Sequence, residues 1–201
     1  MSYLILDTET NTFPNDKLPA THPAQAHICQ LALLQLDELF KELSCVRFLI
    51  KPEGRWQVHD GAFQVHHIST KMCDSIGIAR KDALDIYMEH AGRCKFLVGH
   101  NLSFDNKMIN IELTCANIKN LNGYHYKEIC TMLSMTPIMK LEKKKKNSFG
   151  SEYKWPKLRE AYEFVMRGKE LENSHDALVD VKATAKVLQW LVENKFVNTS
   201  S

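Results

Sequence analysis

The sequence lacks the features that would place it outside the soluble globular class. None of its apolar runs reaches the ~18 residues that a membrane span needs. No basic segment precedes the apolar residues 3–6, so the N-terminus does not predict a secretory signal. We therefore expect a cytoplasmic protein with no membrane partner. The 201 residues are 44% hydrophobic and 25% charged, which excludes a fibrous or wholly disordered chain.

Closely spaced cysteines are also missing. The chain has six cysteines, and no two of them lie closer than fifteen residues. This spacing excludes the CxxC pairs of zinc ribbons and thioredoxin-like proteins. Without an export signal, we expect all six to be free thiols.

An excess of charge of one sign is absent as well. The formal net charge of +2 is too small to indicate nucleic-acid binding by itself. Lysine is nevertheless concentrated at position 140 and at positions 143–146. Such a run is typical of a solvated loop, and it can also contact phosphates. The two interpretations are compatible.

The order of apolar patterns predicts an α/β fold. Three strands come first, close enough in sequence for an antiparallel meander, and strands then alternate with helices. This order indicates a mixed sheet covered by helices. The predicted strands are residues 3–6, 28–36, 46–50, 96–99 and 128–133, and the predicted helices are residues 76–91, 103–116, 156–166 and 175–194.

No repeat or linker divides the chain, so we expect one domain over residues 1–201. Residues 1–10 form its first strand and carry the first acidic motif. Residues 137–153 are rich in lysine and polar side chains, which predicts a flexible basic loop. Residues 198–201 are expected to form a frayed tail.

Two carboxylates end the first predicted strand. Asp7 and Glu9 are two residues apart, so both point to one face of the strand. At ~5 Å and an effective dielectric near 20, two like charges repel by about 3 kcal/mol. A proton, a basic partner or a divalent cation would offset this repulsion. By itself the pair also fits a solvated strand end.

Two further motifs begin predicted helices. Asp105 follows Asn101 in the first turn of a helix, where the helix dipole alone would favour an acidic residue. His175 and Asp180 would lie about 140° apart if both were helical. They can converge if His175 precedes the helix and Asp176 is its N-cap, and this is the arrangement that we predict. Alternatively, His175 and Asp180 are a local helix-end residue and a solvated charge.

Taken together, the three motifs resemble the DEDDh family of 3′→5′ exonucleases. They are an Asp-x-Glu strand end, an Asn-x-x-Phe-Asp helix start and a His-x-Ala-Leu-x-Asp helix, found in the family's order from Asp7 to Asp180. The resemblance implies a ribonuclease H-like fold, with a five-stranded mixed sheet of a three-strand antiparallel meander and two parallel strands.

The resemblance also implies a role for each matching residue. In the family's pattern, Asp7, Glu9, Asp105 and Asp180 match the metal-binding carboxylates, and His175 matches the general base. Three further residues match positions near the terminal nucleotide: Thr10, His66 and Asn101. His67 stands where the family has a glycine.

Phosphodiester hydrolysis explains why these residue types are needed. Two divalent cations about 3.5–4 Å apart can stabilise the attacking and the leaving oxygen. Carboxylates without cysteine suit Mg²⁺ or Mn²⁺ better than zinc. An imidazole such as that of His175 can accept a proton from water near neutral pH. The expected partner is single-stranded or 3′-ended nucleic acid, and the sequence does not choose between DNA and RNA. A nucleic-acid-binding module without activity and a metallohydrolase of small phosphoesters remain as alternatives.

Overall fold

The computed structural model describes residues 2–118, 125–143, 152–172 and 175–199. Five strands form one sheet in the order β3-β2-β1-β4-β5. The first three strands are an antiparallel meander, and β4 and β5 run parallel to β1, which confirms the predicted α/β architecture. The strands are β1 Ser2–Thr10, β2 Ile28–Asp37, β3 Glu42–Leu49, β4 Phe96–Gly99 and β5 Lys127–Cys130.

The described helices are distributed around this sheet. Their bounds are α1 Asp60–His66, α2 Thr70–Ile76, α3 Arg80–Ala91, α4 Leu102–Cys115, α5 Thr131–Met139, α6 Leu158–Val165 and α7 Ala177–Glu193. Among the described helices, none is long and apolar enough to cross a membrane.

Strand β1 is buried on both faces, and the alternation of its side chains decides where the acidic motif points. Tyr3 and Ile5 pack in the cluster that contains Val181 and Leu188 of α7. Leu4 and Leu6 pack in the opposite cluster, which contains residues of α3 and α4. Because side chains alternate along a strand, Asp7 and Glu9 continue the α7 face, and Thr8 continues the α3 and α4 face.

Two short helices escape the sequence prediction because their local signals are weak. Helices α1 and α2 have seven residues each, and each buries one side chain, His66 and Cys73 respectively. The predicted helix over 76–91 starts only at Arg80, since Gly77 ends α2 and Ile78 forms a β-bridge with Ile50.

The predicted basic loop over residues 137–153 is wrong at its beginning. Pro137 lies inside α5, and so do the next two residues. Met135 is fully buried against α6 and α7, with Ile138 and Met139 packed beside it. This packing outweighs the hydrogen bond that a proline costs a helix. The same helix ends the predicted fifth strand at Cys130 rather than at 133. Residues 144–151, with most of the lysine run, lie outside the described residues.

Two helix starts also differ from expectation. Helix α4 begins at Leu102, so Ser103 is not its cap; Asn101 occupies that position in a left-handed conformation, with φ 71°. Helix α6 begins at Leu158, so Pro156 lies outside it. The carbonyl oxygen of Pro156 is 3.0 Å from Nε2 of His100. Glu160 accepts a hydrogen bond from the Lys157 amide and thereby caps α6.

The predicted N-cap of the last helix is confirmed, and the helix itself begins at Ala177 rather than at 175. Asp176 is the N-cap of α7, and its carboxylate accepts a hydrogen bond from the Leu178 amide at 2.9 Å. His175 therefore precedes the helix, with a left-handed backbone of φ 74°.

Candidate active site

The acidic motifs meet at the carboxyl end of β1, where the first turns of α4 and α7 approach it. A cavity of about 660 Å³ opens there. Its walls contain every site residue predicted from the sequence except Asp105, namely Asp7, Glu9, Thr10, His66, Asn101, His175 and Asp180. Asp105 lies behind this wall and is 3% exposed.

Three of the predicted residues form a compact group of potential metal ligands. Ligand atoms of Glu9, His175 and Asp180 all lie within 4.8 Å of one another. Oδ2 of Asp180 accepts a hydrogen bond from the His175 amide at 3.1 Å. The other oxygen, Oδ1, is buried and has no hydrogen-bond partner among the residues that the structure describes. A buried carboxylate oxygen without a partner is costly, and a cation would satisfy it.

Asp105 is held against the site by a residue that the sequence prediction missed. Its Oδ1 accepts hydrogen bonds from the Thr8 amide at 3.0 Å and from the Thr8 hydroxyl at 2.8 Å. Thr8 is the middle residue of the Asp-x-Glu motif and faces α4. The sequence feature that could have indicated this role is a hydroxyl side chain between two carboxylates, which point to the opposite face of the strand.

The electrostatics of the site disfavour four ionised carboxylates. Burial, followed by repulsion from Asp105, Asp180 and Glu9, raises the pKa of Asp7 well above its usual range. Burial and neighbouring carboxylates raise the pKa of Glu9 to about 8. Burial raises the pKa of Asp105 to about 7, against the opposing hydrogen bonds from Thr8. Burial raises the pKa of Asp180 to about 6.

These residues fit a divalent cation. The donor set consists of carboxylate oxygens, with one imidazole at its edge, and hard oxygen ligands suit Mg²⁺ or Mn²⁺. The unpartnered oxygen of Asp180 and the mutual repulsion of the carboxylates are both relieved by positive charge at this position.

The residues predicted near a terminal nucleotide line the same cavity in different ways. Nδ1 of His66 accepts a hydrogen bond from the Ile68 amide, so its Nε2–H faces the Thr10 carbonyl oxygen at 3.2 Å. The imidazole of His66 thus holds the backbone of Thr10 in place, and the same ring forms part of the cavity wall. His67, at the position where the sequence comparison predicts a glycine, adopts a left-handed conformation with φ 58°, which glycine favours. Asn101 accepts a hydrogen bond from the Ser103 hydroxyl at 3.3 Å.

Apolar side chains at the mouth of the cavity were not identified from the sequence. Phe13 is 85% exposed and lines the cavity together with Val65 and Phe104. A phenylalanine in a polar, proline-rich loop directly after the acidic motif was the available signal. Exposed aromatic rings beside carboxylates offer stacking surfaces.

The raised pKa values predict how the stability of the metal-free protein depends on pH. In the unfolded chain these carboxyls ionise near pH 4, whereas in the fold Asp180, Asp105 and Glu9 retain protons up to about 6, 7 and 8. The folded state binds more protons in this range, so its stability falls as pH rises through it. We expect the melting temperature in EDTA to decrease between about pH 5 and pH 8.5, and saturating Mg²⁺ or Mn²⁺ to reduce the decrease.

Thermal melts across this range check the prediction. Asp180→Asn should make the melting temperature in EDTA vary less with pH. Asp85→Asn, which removes an exposed carboxylate on α3 paired with Lys81, should leave this variation unchanged. A melting temperature in EDTA that stays constant or rises over this range would contradict the assignment.

Solved structures share this fold. An exonuclease I structure superposes with a TM-score of 0.77 at 19% identity, over 97% of this chain and 42% of its own. Escherichia coli exonuclease I in complex with a dT13 oligonucleotide gives 0.73 at 20% identity, over 96% of this chain and 41% of that chain. Exonuclease I from Methylocaldum szegediense gives 0.73 at 19%, with shares of 96% and 41%. The chain thus spans about two fifths of the length of these proteins. No curated protein matches the sequence significantly.

The five-stranded mixed sheet, with its carboxylates at the end of β1, has the fold of the exonuclease I structures. The family model RNase_T, described as Exonuclease, matches residues 4–188. This match extends over most of the chain, and the chain therefore belongs to the RNase_T exonuclease family.

Proposed function

We propose that the protein removes nucleoside 5′-monophosphates from the 3′ end of nucleic acid by metal-dependent hydrolysis, with His175 as general base. The observation that carries the proposal is the group of Glu9, His175 and Asp180 within 4.8 Å at the cavity. In this group the imidazole of His175, the proposed base, lies beside carboxylates whose mutual repulsion a cation would relieve. A base and a cation site at this separation can act on one phosphate.

Two divalent cations, Mg²⁺ or Mn²⁺, are the proposed cofactors, held by Asp7, Glu9, Asp105 and Asp180. When bound, they offset the negative charge of the scissile phosphate and of the carboxylates. A zinc-bound form of E. coli exonuclease I with single-stranded DNA is known. The four carboxylates proposed as ligands nevertheless favour the harder cations.

The chain's own residues supply the remaining steps. A ring nitrogen of His175 accepts a proton from water as the water oxygen attacks the terminal phosphate. The bond from phosphorus to the O3′ atom of the preceding nucleotide breaks, and O3′ takes a proton from solvent water. This leaves a new 3′-hydroxyl and a free nucleoside 5′-monophosphate. His66, through its contact with the carbonyl of Thr10, keeps the cavity wall in place during this reaction.

Single-stranded nucleic acid is the substrate that the cavity fits best. Phe13, Val65 and Phe104 present apolar surface next to the carboxylates, where an unpaired base can stack while its phosphate meets the acidic group. E. coli exonuclease I has been crystallised with dT13 and dA16 oligonucleotides, which supports this choice. DNA and RNA share these features, so both sugars belong in the test.

One gel tests the proposed function. The purified protein is incubated with 5′-labelled single-stranded DNA or RNA in Mg²⁺, Mn²⁺ or EDTA. We expect a ladder that shortens from the 3′ end, requires the metal and shows which sugar is preferred. A 3′-phosphorylated oligomer should resist shortening relative to one with a 3′-hydroxyl. Absence of cleavage of either polymer with every metal would overturn the proposal and favour a binding module or a small-phosphoester hydrolase.

A further inference from the structure

Two polar residues outside the acidic motifs lie in the same transverse rows of the sheet as the motif's carboxylates. In the strand register, Glu9 is opposite Gln30, which is opposite Leu49. Asp7 is likewise opposite Ala32, which is opposite Arg47. Residues paired across neighbouring strands share a face, so Gln30 and Arg47 project toward α7, as Asp7 and Glu9 do.

Both side chains reach the segment that follows His175. Oε1 of Gln30, which is 6% exposed, accepts a hydrogen bond from the Ala177 amide at 3.0 Å. Nη1 of Arg47 donates to Oδ2 of Asp176 at 2.5 Å. The other oxygen of Asp176 accepts from the Leu178 amide at 2.9 Å. The first amides of a helix have no partner within the helix, and here the sheet and the cap supply partners for two of them.

His175 needs such support because its backbone is strained. A residue other than glycine in the left-handed region costs on the order of 1–3 kcal/mol and persists only where its surroundings hold it. His175 has φ 74°, and its amide donates to Oδ2 of Asp180. If the first turn of α7 shifts, this amide and the imidazole shift with it.

Arg47 has an electrostatic effect on the same segment. Its guanidinium offsets the negative charge of the Asp176 carboxylate with which it pairs. The pair is only partly screened by solvent, with side-chain exposures of 41% for Arg47 and 35% for Asp176.

We infer that Gln30 and Arg47 are positioning residues that hold the general base, through Asp176 and the first turn of α7. This inference rests on the proposed role of His175. A displacement of about 1 Å in a reacting group can cost up to ~10²-fold in rate. Arg47→Met should therefore lower kcat by about 10-fold to 10²-fold and leave the KM for the oligonucleotide within about threefold. Arg47→Lys should restore most of the rate because it keeps the charge.

A double-mutant cycle distinguishes this role from a general loss of stability. If Arg47 acts through the base, Arg47→Met should cost less than about twofold when His175→Ala is already present. A structural role would cost the same factor in both backgrounds and would overturn the inference. The matched control is Arg93→Met, which removes an exposed arginine paired with Glu89 on α3 and should have no effect on the rate.

Amide hydrogen exchange on the metal-free protein gives a second readout that needs no catalysis. Arg47→Met should accelerate exchange of the Leu178 amide, and Gln30→Leu that of the Ala177 amide, each by about tenfold or more. Amides in the middle of α7 and those in Arg93→Met should keep their protection. Unchanged protection of both target amides would overturn the inference even if the wild type is active. If the wild type shows no exonuclease activity, the proposed function fails, and exchange alone decides whether the sheet holds this segment.

Discussion

Replacement of Asp7 by asparagine should abolish nuclease activity while making the metal-free protein more stable. Asp7 is half-buried, and its removal from water, followed by repulsion from neighbouring carboxylates, raises its pKa well above the usual range. The neutral amide removes both costs of ionisation without changing the side chain's shape. The same change removes a cation ligand. Cations supply several kcal/mol of charge stabilisation in such reactions, which corresponds to a loss of at least about 10³-fold in rate.

Activity on the 5′-labelled oligomer and the melting temperature in EDTA measure the two effects together. Asp85→Asn serves as the control, since this carboxylate lies on α3, is 45% exposed and pairs with Lys81. An Asp7→Asn protein that unfolds would show that Asp7 has a structural role. One that retains more than about a tenth of the activity would show that Asp7 is not a catalytic ligand.

Replacement of His175 by alanine should lower the turnover rate by about 10²-fold to 10⁴-fold, the usual contribution of a general base. The side chain is exposed at the cavity, and the alanine variant would retain the backbone amide that donates to Asp180. We therefore expect little change in fold. Added imidazole should recover part of the lost rate, because it can accept the proton in place of the missing ring.

Single-turnover rates with saturating Mg²⁺ or Mn²⁺ separate this effect from weaker binding. His125→Ala, which changes an exposed histidine outside the cavity walls, is the matched control. A loss of less than threefold in His175→Ala would remove His175 as the base.

The elements and groupings that follow local rules could be predicted from the sequence. The apolar run before Asp7 predicts a central strand, and alternation along it places Asp7 and Glu9 on one face. The spacing from His175 to Asp180 required a cap at Asp176, and the structure contains that cap. These signals lie within a few residues of one another, where backbone geometry alone determines the outcome.

Contacts between distant parts of the chain could not be predicted in this way. Thr8 and Asp105 are 97 residues apart, and Gln30 and Ala177 are 147 apart. Nothing in the sequence near Gln30 or Arg47 indicates which helix will cover their strands. Pro137 is a similar case, because its place in α5 depends on packing against α6 and α7. Local propensity predicts a break there, and tertiary burial prevents it.

The proposed catalytic site depends on the length of β1 before Asp7, because the pairing of β1 with its neighbours decides which face the acidic side chains occupy. Side chains alternate every residue, so an insertion or deletion of one residue within β1 before Asp7 would turn Asp7 and Glu9 to the opposite face. In the pairing of β1 with β2, the register shift falls between Glu9 and Thr10, directly after the carboxylates. Changes in length can thus be absorbed beyond Glu9 or in the hairpin between β2 and β3, but not ahead of the motif. A variant with a changed number of residues ahead of Asp7 would lose the core packing of β1 and the acidic site together.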